Sequence, residues 1–285
     1  MIEELQLKAN GLNFRALAAG PADGPVVLLL HGFPEGAESW LPQLEALGAA
    51  GRRAVAPDQR GYGGTDAPEG VDQYLMPNFF DDIEGLIDAL GADKVDLAGH
   101  DWGAIIGWQF TSQRQHRVRT WAALSVGHPH ALAQVLGEGD EDQRNRSSYI
   151  LLFNQPGTAE NLLLEDDGAR IRGMYAQVFP RDVEDRFITD LQRPGRLTAA
   201  LNYYRANLTP ERFQSYDGAP NPIEVPTLFI WGEDDIALGR KQAELTERHV
   251  KGPYRFVPLA GAGHWLQHQR PDEVSRLLLD HVGAE

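Results

Sequence analysis

The residue types best suited to chemistry stand in three short segments, Gly99-His100-Asp101-Trp102-Gly103, Gly232-Glu233-Asp234-Asp235 and Gly263-His264-Trp265. The first follows the apolar run Val95-Asp96-Leu97-Ala98 and opens a helical pattern, so it reads as strand, tight turn and helix. Glycines two residues either side of Asp101 let the two backbones approach closely, which lifts that one side chain above the strand end. A free carboxylate has a pKa near ~4 and is ionised at neutral pH, so Asp101 can displace a leaving group from carbon without a base to activate it. The bland alternative is that Asp101 only caps the helix that follows.

An ester made on Asp101 is released by water that a base has activated, and the other two segments offer that base and its orienting acid. Each follows an apolar strand pattern, so each loop meets Asp101 at one sheet edge. The order along the chain, nucleophile then acid then histidine, is the order found in α/β-hydrolases. Asp234 competes with Asp235 for the acid, and the spacing from Gly232 favours Asp235. Val126-Gly127-His128-Pro129-His130, after the preceding strand, carries no carboxylate. Of the nine histidines, His264 alone lies in a small-residue loop after the last strand, whereas His268 reads as helix surface or a structural neighbour. Singly, Asp235 is equally a turn aspartate and His264 a loop histidine; together, at matching strand ends, they make a catalytic set.

The elements that must position these residues alternate. Leu5-Gln6-Leu7 and Phe14 to Ala18 flank Asn10-Gly11 as an antiparallel hairpin. Val26 to Leu30 is apolar throughout, as in a strand buried on both faces, and runs into His31-Gly32-Phe33-Pro34-Glu35. Strands follow at Arg53 to Pro57, Thr120 to Ser125, Thr227 to Trp231 and Tyr254 to Leu259, while strand, elbow and helix together occupy Lys94 to about Gln115. Helical spacing marks the stretches from Trp40 to Leu47, Asn78 to Leu90, Trp102 to about Gln115, Leu238 to His249 and Pro271 to His281. From His130 to Pro222 no buried strand occurs. Helical stretches at Tyr149 to Phe153, Ala169 to Phe179 and Leu197 to Arg205 predict an inserted helical cap, closed by Asp217-Gly218-Ala219-Pro220-Asn221-Pro222. The expected architecture is α/β: a mostly parallel sheet flanked by helices, with residues 1–129 and 223–285 as core and 130–222 as cap.

Composition sets further limits. A length of 285 residues suits one α/β domain with an insertion, and 42% hydrophobic with 24% charged residues is that of a soluble globular protein. No apolar run approaches the ~20 residues of a membrane span. Met1-Ile2-Glu3-Glu4 has no secretory character, so a cytoplasmic location is expected. Absence of cysteine rules out disulfides and thiol nucleophiles, and a net charge of −15 disfavours nucleic acid, anionic lipid and anionic substrates. A neutral small molecule is the expected ligand. A homo-oligomer is neither required nor excluded.

The three segments and His31-Gly32-Phe33-Pro34-Glu35 resemble soluble epoxide hydrolases of the α/β-hydrolase superfamily, over nearly the whole chain. Two cap segments sharpen the likeness. Tyr149-Ile150-Leu151-Leu152-Phe153-Asn154-Gln155-Pro156-Gly157 is similar to the family stretch with one ring-opening tyrosine, which places that role on Tyr149. Asn202-Tyr203-Tyr204-Arg205 is similar to the Asn-Trp-Tyr-Arg stretch with the other, which places it on Tyr204 and puts Tyr203 at the tryptophan position. The resemblance implies epoxide and water as substrates and no cofactor or metal. Asp101 would form the ester, Tyr149 and Tyr204 would protonate the ring oxygen, and His264 held by Asp235 would activate water. Backbone N–H groups of Phe33 and Trp102 would form the oxyanion hole. Phe33, Trp102 and Phe153 would contact substrate, with Leu162, Leu163, Met174, Tyr175, Phe179 and Phe187 as further candidate pocket residues. Glu35 would hold the water or the loop, or be an exposed loop carboxylate. Haloalkane dehalogenases share the aspartate and the following tryptophan, yet hold halide with a second N–H donor; here that position is Phe33, and no tryptophan lies between Trp121 and Trp231. Fluoroacetate dehalogenases place arginine where this chain has Trp102. A binding protein that kept the cavity without turnover has no need of all five groups.

Overall fold

The computed structural model describes residues 1–175, 178–209 and 221–283. Its eight strands are β1 (Glu3–Ala9), β2 (Leu12–Ala19), β3 (Val26–Leu30), β4 (Arg53–Pro57), β5 (Val95–His100), β6 (Val118–Leu124), β7 (Thr227–Gly232) and β8 (Tyr254–Leu259). They form one sheet in the order β1-β2-β4-β3-β5-β6-β7-β8. β1 pairs antiparallel with β2 and β2 with β4, and every other pairing is parallel. The Asn10-Gly11 turn has positive φ at both residues, 47° and 75°, the twist that a tight hairpin needs.

Continuous apolar strands are buried on both faces because helices cover both. Val27 and Leu29 of β3 point to the layer with Leu44, Leu47, Val274 and Leu278, from helices Leu41–Ala49 and Pro271–His281. Leu28 and Leu30 point to the other layer, with Phe79, Ile83, Ile106 and Phe110 from helices Met76–Ala89 and Trp102–Gln113. Register brings the carboxyl ends of the central strands level: Leu30 pairs with Gly99, His100 with Leu124, and Gly232 with Leu259.

The helix from Trp102 begins against β3. A Cβ on Gly103 would lie 2.1 Å from the Leu30 carbonyl oxygen, and one on Gly99 would lie 2.3 Å from the Gly103 oxygen. Gly103→Ala is therefore expected to destabilise the fold by roughly 1–3 kcal/mol or more, as overpacking against rigid backbone does. Gly173→Ala, where an added Cβ meets nothing within 4 Å, is expected to be neutral or stabilising. Urea denaturation of the two variants checks the contrast.

Between β6 and β7 run the helices Pro129–Gly137, Glu141–Arg146, Tyr149–Phe153, Thr158–Tyr175, Arg181–Gln192 and Arg196–Asn207. The stretch expected to be one helix from Ala169 to Phe179 instead belongs to the Thr158–Tyr175 helix, which is broken at residues 165–168 by an extended Glu165 and left-handed Asp166, Asp167 and Gly168. Val178 and Phe179 lie outside any helix. Asp217 to Pro220, expected to close the insertion, lie outside the described residues. The Leu238 to His249 stretch is a shorter helix, Arg240–Leu245, continued by a 3-10 turn, Thr246–His249. Among the described residues no helix is long and apolar enough to cross a membrane, and no cluster of three or more His, Cys, Asp or Glu side chains could hold a metal ion.

Candidate active site

Asp101 sits between β5 and its helix with φ 51° and ψ −116°, a strained backbone for a residue with a Cβ. Strain at this point aims the carboxylate over the strand ends. A Cβ on Gly32 would lie 2.3 Å from Asp101 Cβ, so the loop after β3 folds directly over the aspartate. The Phe33 backbone N–H, in that loop, donates to Asp101 Oδ1 at 2.7 Å.

His264 follows β8 and faces Asp101 with one ring nitrogen and Asp235 with the other. Its Nε2 lies 3.5 Å from Asp101 Oδ2, and its Nδ1 lies 2.9 Å from Asp235 Oδ2. The second Asp235 oxygen accepts the N–H groups of Ala237 and Leu238 at 2.7 and 2.9 Å. Asp235 is buried and Asp234 is exposed, and it is Asp235 that meets the His264 ring. Burial alone would lower the His264 pKa, but Asp235 and Asp101 together hold it well above the ordinary histidine value.

The inserted helices bring two phenols to the same place. Tyr149 and Tyr204 both line a cavity of about 230 Å³ with Asp101 and His264. Their rings stand 6.1 Å apart, edge to face, and Tyr204 packs on Trp102 at 5.0 Å and on Phe153 at 4.9 Å. Burial raises both phenol pKa values, helped by the Asp101 charge at Tyr149 and by Tyr149 and then Asp101 at Tyr204, so both hydroxyls keep their protons. Tyr203 is elsewhere. Its hydroxyl donates to the Arg60 carbonyl at 2.7 Å and its ring packs on Phe79 at 4.6 Å.

Arg205 explains the end of that motif. It pairs through two nitrogens with Glu160, at 2.7 and 3.0 Å, and donates to the Phe153 carbonyl at 3.0 Å. Three helices are tied at one point below Tyr204. Burial opposes the Glu160 charge, yet the Arg205 hydrogen bonds hold its pKa down at about 2.

Not every expected pocket residue is in place. Phe33, Phe153 and Met174 line the cavity; Tyr175, Phe179 and Phe187 form an aromatic cluster on and beside Trp265, and Leu163 is fully buried. Trp102 instead lines an adjoining smaller cavity of about 40 Å³, which shares Asp101, Tyr149 and Tyr204 with the main one. Residues absent from the sequence expectation, Arg146, Ile236, Ala237 and Trp265, complete the main wall. A weak signal existed for Ile236 and Ala237, which directly follow Asp235.

Glu35 is buried, which overturns its reading as an exposed loop carboxylate. It lies 3.0 Å from His100 Nδ1 and accepts from Gln267 Nε2 at 3.3 Å. Burial pushes its pKa up, but His100 outweighs that and holds it at about 2. His100 Nε2 in turn meets the His264 carbonyl at 2.9 Å, and Ser125 donates to the same oxygen. This buried set fixes the backbone that carries His264. His268, on the short helix Leu266–Gln269, is a structural neighbour: it packs on Phe179 at 4.2 Å, and burial lowers its pKa to about 4.

A family model described as alpha/beta hydrolase fold matches residues 25–271. AB hydrolase superfamily protein YfhM of Bacillus subtilis is 36% identical, over 97% of this chain and 96% of the relative. Epoxide hydrolase A of Mycobacterium tuberculosis is also 36% identical, over 98% of this chain and 97% of its own length. Among solved structures, epoxide hydrolase A from Mycobacterium thermoresistibile superposes with a TM-score of 0.87 at 33% identity, covering 100% of this chain and 99% of that one. Likeness of that extent, in sequence and in three dimensions, places the chain in the α/β-hydrolase superfamily and, within it, in the epoxide hydrolase family.

Proposed function

We propose that the protein hydrolyses a neutral, mainly apolar epoxide to a vicinal diol through an ester on Asp101, beneath a cap formed by residues 130–222 on a core of 1–129 and 223–285. The observation that carries this is the pair of phenols sharing one cavity with a carboxylate whose other neighbour is His264. Family membership and the apolar wall of Phe33, Phe153, Met174, Ile236 and Trp265 support the substrate class. The cavity volume, about 230 Å³, lies below the ~300–1,000 Å³ common for drug-sized ligands, which favours a small epoxide.

In the first step an Asp101 oxygen attacks a ring carbon and the carbon–oxygen bond breaks. The electron pair leaves on the ring oxygen, which takes a proton from Tyr149 or Tyr204. A phenol with a raised pKa still suits this task, because it keeps its proton until the ring oxygen develops alkoxide character and then has an acceptor basic enough to take it. His264, protonated between two carboxylates at rest, returns a proton to the phenol and becomes neutral. It thereby turns into the base for the second step. Water loses a proton to His264 Nε2 and adds to the Asp101 carboxyl carbon. The tetrahedral oxyanion forms where Phe33 N–H already donates, with Trp102 N–H as the proposed second donor, each worth about 3 kcal/mol. Collapse expels the diol oxygen, which takes the proton from His264; the carboxylic acid left on Asp101 then gives its remaining water-derived proton to His264, which restores both the carboxylate and the protonated imidazole.

A panel of small epoxides and brominated alkanes, with diol and bromide measured separately, tests the reading. Diol without bromide is the expected result. Tyr204→Phe is expected to slow ring opening about 10²-fold, while Tyr203→Phe leaves it near wild type. Bromide release faster than diol formation, insensitive to Tyr204→Phe, would overturn the proposal.

A further inference from the structure

The loop that carries Asp235 is held from the insertion as well as from the core. Its core contacts are the Trp231 indole N–H on the Leu238 carbonyl, at 3.0 Å, and Asp234 N–H on the Ala262 carbonyl, at 2.9 Å. Three further backbone groups of the loop, the Asp235 and Ala237 carbonyls and the Gly239 N–H, are met by the helix Glu141–Arg146. Gln143, 1% exposed, donates through Nε2 to the Ala237 carbonyl at 2.8 Å and accepts the Gly239 N–H on Oε1 at 2.8 Å. Arg146 Nη1 donates to the carbonyl of Asp235 itself, and its Nε is paired with Asp142 at 2.8 Å. The helix is in turn fixed at its start, where Asp140 accepts the Gln143 N–H at 2.9 Å.

We propose that Gln143 and Arg146 are positioning residues for the water-activating half of the reaction: they clamp the Asp235 loop so that its carboxylate keeps the His264 ring aimed at the Asp101 ester. The clamp does not reach the attacking carboxylate. Asp101 is set by the elbow and by Phe33, and the ring-opening phenols come from other helices. A loosened clamp lets Asp235 and Ala237 drift from the geometry that orients His264, and displacements near 1 Å at such a site cost about 10²-fold in rate. Ester hydrolysis is slowed by loosening either residue, and ester formation is spared for Gln143, which is no part of the cavity wall; Arg146 does line the cavity, so its variants are read by ester decay alone.

This inference rests on the aspartyl-ester reading, and the experiment separates the two. Wild type, Gln143→Met, Arg146→Met and Arg146→Lys are mixed with styrene oxide, or with 1,2-epoxyoctane where that is turned over faster. Ester formation and decay are followed by rapid quench and intact mass. In Gln143→Met the ester is expected to form at the wild-type rate and decay about 10- to 100-fold more slowly. Its kcat and KM then fall together while kcat/KM holds, since kcat/KM reports only the steps through ester formation. Arg146→Met is expected to show the same slowed decay, and Arg146→Lys, which keeps a donor for the Asp235 carbonyl, to recover most of it. Decay at the wild-type rate in both Met variants overturns the clamp, as does a raised KM with a fall in kcat/KM in Gln143→Met. Should Gln143→Met fail to fold, ester decay in the Arg146 pair decides alone. A wild-type enzyme that forms no ester sinks the underlying mechanism instead.

Discussion

Asp101→Asn is expected to lower diol formation by at least about 10³-fold while leaving the fold intact. The amide keeps the shape of the carboxylate, its oxygen can still accept the Phe33 N–H, and asparagine tolerates the positive φ of the elbow better than most residues. What it loses is the charge and lone-pair strength that attack carbon. The same change removes one of the two anions beside His264. Burial depresses that imidazole and the two carboxylates raise it, so the His264 pKa is expected to fall in the variant, as read from its ring signals by NMR titration. A stability difference follows in a definite direction. Because folding raises the His264 pKa, its contribution is fully present below the unfolded value near ~6.5 and is lost as pH rises through the folded value. The loss from Asp101→Asn is therefore expected to be larger at pH 6 than at pH 9. Wild-type turnover by the variant, or an unmoved His264 titration, would remove Asp101 from its assigned place.

Local pattern made much of the scaffold readable. β3 is five apolar residues because both sheet faces are covered, and β8 and the helix Pro271–His281 have the bounds their periodicities predict. The elbow announces itself because only glycine fits where β3, β5 and the following helix touch. That Asp235 and His264 lie side by side follows from their places at strand ends, since parallel topology brings those ends together. The insertion was read less well. Its break at residues 165–168 is made by charged residues in left-handed turns, which leave the apolar spacing on either side looking continuous. The helix Arg181–Gln192 does carry a buried face at Phe187, Ile188 and Leu191, but its many charges mask the period.

Contacts across long stretches of chain leave no mark in local spacing. Nothing near Gln143 says that it meets Ala237 and Gly239, 94 and 96 positions away. Nothing near Glu35 says that it is buried beside His100. The adjacent Tyr203 and Tyr204 differ only in direction. The Arg60 carbonyl and the Phe79 ring capture one, which leaves the other to the cavity. That choice is made by tertiary packing, so spacing alone narrows it to two residues, and only the likeness of Asn202-Tyr203-Tyr204-Arg205 to the family stretch points on to Tyr204.

His264→Gln is expected to trap the reaction halfway. Glutamine can still donate to Asp235, so no buried carboxylate is stranded, but it cannot take a proton from water. Ring opening has its own acids in Tyr149 and Tyr204 and is slowed far less. The protein should therefore gain the mass of one epoxide on Asp101 and then hold it, with ester hydrolysis reduced about 10⁴-fold or more. Peptide mapping locates the adduct; a label on any other side chain, or steady turnover above about 1% of wild type, would contradict the assignment of base. The wild-type enzyme should approach the same trapped state in acid. Once Asp101 is esterified its charge is gone, and Asp235 alone supports the imidazolium against burial, so the His264 pKa drops from its resting value. Hydrolysis needs the neutral ring and must slow as pH falls through that lowered pKa. Ester formation needs no neutral imidazole, so the alkylated fraction at steady state is expected to rise as pH falls, until too little ionised Asp101 remains to react.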